Sequence, residues 1–204
     1  MPGKTIFITG IGTGIGKTIV SAILVEKLKA DYWKPIQSGD LNDSDTMKVK
    51  SLVTNSASIF HPEAYRLTQP FSPHKSAAID GLIIDPEKIN LPQTTNTLIV
   101  EGAGGLMVPL NDQFLMIDLI KKLDAEVILV SAFYLGSINH TLLSISALKQ
   151  YNIPVKGIIF NGAEDSNSKR FILKYSEIKM LGSIPLLNGI DKATVINATP
   201  NIAL

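Results

Sequence analysis

The sequence has no cysteine and few charged residues, and both scarcities narrow the possible functions. Without cysteine among 204 residues, disulfide frameworks, thiol nucleophiles and cysteine-ligated metal centres are excluded. Charged residues make up 18% of the chain, and the formal net charge is +1 with no basic block. This balance argues against nucleic acid or an anionic membrane as a partner. We therefore expect neither.

Long apolar runs and a leader segment are also missing. No apolar stretch reaches the ~18 to 20 residues that a membrane span needs, and Met1–Lys4 runs directly into a strand-like segment. These absences predict a cytoplasmic protein. The hydrophobic content of 45% is enough to bury a core, and the length suits one domain over residues 1–204.

Apolar segments of strand length alternate with segments of helix length. The predicted strands are Thr5–Thr9, Thr97–Val100, Val127–Ser131 and Val155–Phe160, with shorter ones at Tyr32–Trp33 and Gly182–Pro185. The predicted helices are Lys17–Lys29, Ser44–Val53, Gln113–Leu123, Ile138–Gln150 and Ser168–Met180. Because the strands are apolar nearly throughout, they should be covered on both faces. The pattern predicts a Rossmann-like α/β fold with one doubly wound, mostly parallel sheet and helices on both faces.

The stretches between these elements suggest where a ligand binds. The segment from Phe60 to Pro92 contains five prolines and is predicted to be an irregular, functional loop. Polar and glycine-rich stretches follow the carboxyl ends of the strands, where open parallel sheets bind ligands. These stretches are 10–18, 34–45, 101–105, 136–140 and 161–162. Their predicted convergence on one edge of the sheet indicates a single site.

A glycine-rich loop follows the first strand and leads directly into a helix. Residues 10–16 have the sequence GIGTGIG and precede Lys17 and Thr18. Glycines let backbone N–H groups approach phosphates, the lysine reaches the β and γ phosphates, and the hydroxyl ligates Mg²⁺. Ile11 stands where the standard loop has its first glycine, and Gly10 comes one residue too early. An ordinary glycine-rich turn is the alternative, but Gly-Lys-Thr between a strand and a helix favours a P-loop NTPase.

A magnesium site needs carboxylates beside the phosphates. Glu101 ends an apolar strand and is followed by four small residues, so it is the best candidate, with a solvent-facing glutamate as the alternative. Asp40, Asp43 and Asp45 share one polar loop, and their spacing does not choose among them. Asp43 or Ser44 could instead cap the helix that begins there.

Together these segments resemble the dethiobiotin synthetase family over nearly the whole chain. The motifs that carry the resemblance are the loop 9–18, WKPIQSG at 33–39, DSD at 43–45, SPH at 72–74, VEGAGG at 100–105 and LGSINH at 135–140. A Gly-Lys-Thr loop alone is common, whereas this ordered set is much more specific. The resemblance implies a cyclo-ligase of biotin synthesis. It would convert 7,8-diaminononanoate, CO₂ (or bicarbonate) and ATP, with Mg²⁺, into dethiobiotin, ADP and phosphate through a carbamate and a carbamic-phosphoric anhydride.

The resemblance also implies roles for particular residues. Lys17 and Lys34 would be catalytic and neutralise the γ phosphate and the carbamate, although on the residues alone Lys34 could equally be a surface lysine beside Trp33. Ser38 would hold the reacting end of the substrate. The metal ligands would be Thr18, Asp45 and Glu101, which selects one of the three aspartates. The nucleotide-binding residues would be Thr13, Gly14, Ile15, Gly16, Lys17, Thr18, Asp45, Glu101, Gly102, Ala103, Gly104, Asn161, Gly162 and Pro185.

A helix start at 136–140 suits the carboxylate at the end of the family's substrate, because its N–H groups are free. In the family this segment belongs to the second subunit of a homodimer. The resemblance therefore predicts a homodimer in which Leu135, Gly136, Ile138 and Asn139 bind the substrate tail. Asn161 could pair with adenine through its amide, but Asn-Gly is also a plain turn signal.

Two departures and two other function classes stay open at this point. Gly14 stands where many family members carry an acidic residue, and the part after Leu187 is short, which leaves the base preference open. A partitioning ATPase or nucleotide switch typically has a second lysine at the position of Gly12, and the guanine-reading Asn-Lys-x-Asp is missing. An amidotransferase-like ligase would depend on glutamine or ammonia instead of bicarbonate.

Overall fold

The computed structural model describes residues 3–204, so Met1 and Pro2 of the predicted domain lie outside the described residues. The strands are β1 (Thr5–Gly10), β2 (Asp31–Trp33), β3 (Ile36–Ser38), β4 (Phe60–His61), β5 (Tyr65–Leu67), β6 (Leu98–Gly105), β7 (Glu126–Ala132), β8 (Val155–Asn161) and β9 (Met180–Ile184). Seven of them form one sheet in the order β4-β2-β6-β1-β7-β8-β9, and the named ladders all run parallel. The chain winds from β1 to one side and then to the other, as the doubly wound prediction requires.

Helices cover both faces of this sheet. They are α1 (Lys17–Leu28), α2 (Asp45–Leu52), α3 (Pro73–Ile79), α4 (Met116–Lys122), α5 (Ser137–Gln150), α6 (Ser166–Ser176) and α7 (Lys192–Ala198). Side chains of β1 alternate between the two cores: Ile6 and Ile8 pack with α1, α2 and α7, whereas Phe7 packs with α3 and α4. Each fully buried side chain of this kind contributes roughly 1.5–3 kcal/mol. The fold class predicted from the sequence is thereby confirmed.

Two predicted element boundaries differ most from the structure. The strand predicted to end at Val100 continues as β6 to Gly105, because its parallel pairing with β1 persists to the Gly10–Gly105 pair. The helix predicted to reach Met180 ends at Ser176, since Glu177 adopts φ 57° and the chain then enters β9. A left-handed residue breaks the helical hydrogen bonding, and only tertiary pairing recruits the following residues into the sheet.

The segment from Phe60 to Pro92 is more ordered than predicted. It contains β4, β5, α3 and a 3₁₀ turn at Pro86–Lys88. β5 pairs with β3 in a separate two-stranded parallel sheet. Strands of two or three residues have too little periodicity to be seen in a sequence, which explains the error. Among residues 3–204, the helices are all too short or too polar to cross a bilayer.

Candidate active site

A cleft of about 620 Å³ opens at the carboxyl edge of the sheet. Three of the five predicted stretches line it: 10–18, 34–45 and 101–105. The segment Pro70–Pro73, which lies within the predicted functional loop and includes part of the SPH motif, forms a further wall. Stretches 136–140 and 161–162 lie outside the lining of this cleft. The chain therefore brings the phosphate loop, the candidate metal ligands and Lys34 into one cavity.

The glycine loop is held by a contact that only glycine allows. Gly16 adopts φ 93°, and a Cβ there would lie 2.1 Å from Nδ2 of Asn161. That Nδ2 donates a hydrogen bond to the carbonyl of Ile15 at 3.0 Å. The loop then enters α1, whose first residues are Lys17 and Thr18. Gly16, Lys17 and Thr18 line the cleft, so the first backbone N–H groups of the helix lie beside it.

The isoleucine at the position of the usual first glycine has a structural role. The Ile11 backbone N–H donates to Val130 of β7 at 3.1 Å, and its side chain packs against two of the apolar cores. Ile11 thus continues the sheet for one residue before the loop turns. The departure from the standard pattern leaves the rest of the loop intact.

Lys17 is folded back over the loop. Its Nζ donates to the Gly12 carbonyl at 2.7 Å, and only 7% of the residue is exposed. Burial lowers the pKa of Lys17 to about 8, an effect that the nearby charge of Lys34 increases and that Glu101 and Asp45 oppose. At neutral pH the side chain is still mainly a cation, positioned above a phosphate-binding loop.

Glu101 lies at the centre of a buried polar cluster, which we call the Glu101 cluster. Its Oε1 accepts hydrogen bonds from Lys34 Nζ at 3.1 Å and from Thr18 Oγ1 at 3.0 Å. Its Oε2 accepts one from the Tyr32 hydroxyl at 2.9 Å. Asp45 completes the cluster, with Oδ2 2.6 Å from Lys34 Nζ and Oδ1 3.2 Å from Thr18 Oγ1. Four residues that the sequence singled out are therefore joined in one network of hydrogen bonds and ion pairs.

Strand register explains why these residues meet. β2 runs parallel to β6 with Tyr32 opposite Ile99 and Trp33 opposite Val100. Side chains two residues apart point to the same face of a strand, so Tyr32 and Lys34 both lie on the face that carries Glu101. Lys34 is only 5% exposed, which rules out the surface-lysine alternative.

The charges in the cluster stabilise one another. Burial alone would lower the pKa of Lys34, but the carboxylates of Glu101 and Asp45 outweigh it and raise that pKa. Burial would likewise raise the pKa of Asp45, yet the pairing with Lys34 lowers it. Burial and then the charge of Glu101 raise the pKa of Tyr32 well above 10. Lys34 is therefore a cation, Asp45 an anion and Tyr32 a neutral hydroxyl donor.

Three oxygen-bearing side chains of the cluster fit a hard cation. The Thr18 hydroxyl lies within 3.2 Å of both the Asp45 and the Glu101 carboxylates, and Mg²⁺ prefers oxygen ligands of this type. Residues 3–204 contain no group of three acidic or histidine side chains that could hold a metal alone. Phosphate oxygens and water would have to complete the coordination, as is usual for Mg²⁺ bound with a nucleotide.

The other two aspartates have different positions. Asp43 pairs with exposed Lys48 at 3.3 Å, and Asp40 lies at the cleft rim with φ 50°. Ser44, not Asp43, caps α2 by accepting a hydrogen bond from the backbone of Met47. Of the three aspartates, Asp45 is thus the one that contacts Thr18 and Lys34.

Two neighbouring residues, Ser38 and Gln37, also have a direct place in the site. The buried hydroxyl of Ser38 has no hydrogen-bond partner among residues 3–204, although it lies on the cleft wall. Gln37 was not predicted: its Oε1 accepts from the Asp45 backbone N–H at 3.2 Å and its Nε2 donates to Gly39. Its place within the WKPIQSG motif at 33–39 was the signal in the sequence for Gln37.

The remaining predicted residues fall into three groups. Ala103 and Gly104 line the cleft, whereas Gly102 packs against the Phe7 ring. Gly162 and exposed Pro185 follow β8 and β9 at the same edge of the sheet. At the start of α5, Leu135, Gly136 and Asn139 are exposed, and Ile138 is partly buried. His140 contacts the Tyr134 hydroxyl through Nδ1 at 2.9 Å.

Solved structures with a similar fold include a ParA family ATPase and a septum site-determining protein. A ParA family ATPase from Chlorobium tepidum has a TM-score of 0.60 at 13% identity and covers 98% of both chains. The septum site-determining protein MinD complexed with Mg-ADP, from Pyrococcus horikoshii, has a TM-score of 0.59 at 15% identity, over 97% of this chain and 86% of that one. At such low identity the likeness shows the fold alone, that of a P-loop NTPase.

Sequence relatives are much closer. A family profile described as an AAA domain matches residues 4–194. The ATP-dependent dethiobiotin synthetase BioD of Christiangramia forsetii is 56% identical over 89% of this chain and 87% of its own length. The protein of the same name from Cytophaga hutchinsonii is 54% identical over 87% and 86%, and that from Brucella ovis 44% over 91% and 88%. Identity of this extent, over a chain that also assembles the expected cleft, shows that it belongs to the ATP-dependent dethiobiotin synthetase family.

Proposed function

We propose that this chain converts 7,8-diaminononanoate, CO₂ and ATP into dethiobiotin, ADP and phosphate. One observation carries the proposal: Lys34 and the oxygen-bearing Thr18, Asp45 and Glu101 meet beside the phosphate loop, in a member of the synthetase family. We further propose that residues 1–204 act as one catalytic domain, and in the cytoplasm, where ATP is supplied.

The two lysines address the electrostatic problem of the reaction. A carbamate and a triphosphate are both anions and repel each other unless cations lie between them. Lys17 would exchange the Gly12 carbonyl for β- and γ-phosphate oxygens when the nucleotide enters. Lys34, at the base of the same cleft, would face the carbamate and the transferred phosphoryl group. Removing one well-aimed donor of this kind typically costs ~10²–10³ in rate.

Thr18, Asp45 and Glu101 are the residues that would hold Mg²⁺. When bound, the ion would neutralise charge on the β and γ phosphates. The support for this assignment is the donor set itself, a hydroxyl and two carboxylates converging at the end of the loop. Lys34 also contacts both carboxylates, so part of its charge pairing would be redistributed when the cation binds.

The ring would form in three balanced steps. One substrate amine attacks CO₂, forms an N–C bond and loses a proton, giving a carbamate. A carbamate oxygen then attacks the γ phosphorus, and ADP leaves. The neighbouring amine attacks the carbamate carbon, phosphate leaves and a second proton is lost. Ser38, whose buried hydroxyl is unpaired within residues 3–204, would hold the reacting end. Because the second amine is already adjacent, positioning supplies much of the acceleration.

The nucleotide base would lie beyond the phosphate loop, where β8 and β9 end. Asn161, Gly162 and Pro185 are found there. The Asn161 Nδ2 is engaged by the Ile15 carbonyl, so pairing with adenine would require the amide to release the loop or to use its oxygen alone.

The tail of the substrate would be bound by a second copy of the chain. Leu135 is fully exposed, and the start of α5 does not line the cleft of its own chain. A homodimer would let Leu135, Gly136, Ile138 and Asn139 of one copy close the cleft of the other. The N–H groups at the start of this 14-residue helix would then meet the substrate carboxylate.

Phosphate release from ATP tests the proposal directly. We expect phosphate to form only when diaminononanoate, bicarbonate and Mg²⁺ are all present, and dethiobiotin to accumulate in equal amount. Omission of each component in turn is the control. Equal turnover without the diamine would contradict the proposal and favour a partitioning ATPase. A requirement for glutamine or ammonia would favour an amidotransferase-like ligase.

A further inference from the structure

The two oxygens of the Glu101 carboxylate have different surroundings. Oε1 faces the cleft side of the cluster, where it accepts from Lys34 and Thr18. Oε2 accepts from Tyr32 alone among residues 3–204, at 2.9 Å. Both residues are buried, with Glu101 1% and Tyr32 0% exposed. Water therefore has little access with which to replace the phenol.

We propose that Tyr32 is a positioning residue for Glu101. Its hydroxyl donates a hydrogen bond to Oε2 and thereby keeps Oε1 directed at the Mg²⁺ that would bind with the nucleotide. This role rests on the proposed function, in which Glu101 is a ligand of Mg²⁺. Tyr32 touches neither substrate nor metal in this arrangement. It acts only through the orientation of the carboxylate.

The fold makes Tyr32 a rigid anchor. Its backbone is fixed in β2 opposite Ile99, two residues before Glu101 on β6, so the phenol lies along the same face and reaches the carboxylate. The ring packs against Phe60 with centroids 6.1 Å apart and belongs to the larger apolar core. Glutamate has several rotatable bonds, whereas a tyrosine clamped in a core has almost no freedom, so the phenol determines the carboxylate angle.

Hydrogen bonds to charged groups are stronger than neutral ones, and a buried oxygen left unpaired is costly. Tyr32→Phe removes that single donor and keeps the ring. The Glu101 carboxylate would then rotate toward another hydrogen-bond donor, and its contribution to metal binding would fall. A purely structural role would lower stability but leave the coupling between Mg²⁺ and nucleotide unchanged. This coupling is therefore the informative quantity.

The experiment is calorimetric titration of ADP into the intact protein with and without Mg²⁺. In Tyr32→Phe we expect the enhancement of ADP affinity by Mg²⁺ to fall roughly tenfold, since loss of a charge-assisted bond is of that size. ADP affinity without Mg²⁺ should be unchanged. In a Glu101→Gln background the same substitution should add nothing, because both changes act on one carboxylate. The shift in thermal unfolding caused by ADP, with and without Mg²⁺, gives a second measurement if the variant is less stable.

Tyr65→Phe is the matched control. The Tyr65 hydroxyl is bonded to the backbone of Asp85, away from the cluster, so this variant should keep the native coupling. Native coupling in Tyr32→Phe would overturn the positioning role. No coupling in the unaltered protein would overturn the metal assignment and this role with it. Coupling that depends on Tyr32, in a protein without diamine-dependent turnover, would overturn the proposed reaction and leave the role of Tyr32 standing.

Discussion

At the scale of single residues, Lys34 is the cation that makes the buried site possible. Its Nζ lies 2.6 Å from Asp45, which is partly buried, and 3.1 Å from Glu101, which is almost fully buried. Removing one partner of a buried ion pair leaves uncompensated charge and costs about 3–5 kcal/mol. Loss of Lys34 should therefore affect folding as well as chemistry.

We predict that Lys34→Met lowers diamine-dependent phosphate release by roughly 10²–10³-fold and also lowers the midpoint of thermal unfolding. Mg²⁺ should restore part of that stability, since it can replace the missing positive charge. Lys48→Met is the control: the Lys48–Asp43 pair is exposed, and surface pairs contribute at most about 1 kcal/mol. Native turnover in Lys34→Met would remove this lysine from the mechanism.

At the scale of elements, the turn from β1 into α1 depends on one tight contact. Gly16 combines a left-handed backbone with a Cβ position only 2.1 Å from the Asn161 amide. Gly189 shares the left-handed backbone, with φ 89°, but a Cβ there would meet nothing within 4 Å. A comparison of substitutions at Gly16 and Gly189 therefore separates the cost of backbone strain from the effect of displacing the loop.

We predict that Gly16→Ala weakens ADP binding at least tenfold, because the loop must move away from Asn161. Gly189→Ala should show only the backbone cost of about 1 kcal/mol in unfolding free energy, with native ADP affinity. Titration calorimetry and urea unfolding measure the two quantities. Equal ADP affinity in the two variants would show that the loop tolerates the displacement.

Asp31 lies at the start of β2, at the edge of the sheet opposite the cleft, and stabilises the structure there. It accepts hydrogen bonds from Thr94, Asn96 and the backbone of Ile59. Burial alone would raise the pKa of Asp31, but these hydrogen bonds outweigh it and lower that pKa. A lowered folded-state pKa contributes stability that is complete above the unfolded-state value of about 3.9 and is lost as the pH falls through the folded-state value.

We predict that Asp31→Asn lowers the free energy of unfolding by roughly 2 kcal/mol near neutral pH. The difference from the native protein should persist down to about pH 5 and shrink below about pH 4. Urea unfolding across this pH range provides the measurement, with exposed Asp112→Asn as control. A difference that does not change with pH would show that the charge of Asp31 is not what stabilises the strand.

At the scale of the whole molecule, the proposed homodimer makes the site for the substrate tail depend on a second copy of the chain. We predict a dimer by sedimentation, and we expect Leu135→Arg to weaken it and to raise the KM for the diamine while ADP affinity stays native. Ile196→Arg, a change at another exposed apolar residue on α7, should alter neither. A strict monomer with full activity would exclude a site shared between two copies.

Much of the site could be predicted because its motifs are local in sequence. The loop from Gly10 to Thr18 contains its own turn, helix start, cation and hydroxyl within nine residues, so the phosphate site needed no long-range information. Glu101 was found from its position directly after the apolar run 97–100, although the strand itself continues to Gly105. The sequence alone did not select one of Asp40, Asp43 and Asp45, because the packing of α2 decides which of them faces the cleft.

By itself, then, the sequence determined the α/β fold class, the phosphate loop and the family. These depend on patterns within single elements and on ordered motifs. Only the tertiary structure decided that Tyr32 meets Glu101, that Gln37 holds the Asp45 backbone and that Asn161 braces the loop. Tyr32 and Glu101 are 69 residues apart in sequence, and the register that joins them is set by packing across the whole sheet. No local pattern contains that register, because it is a property of neighbouring strands rather than of either strand alone.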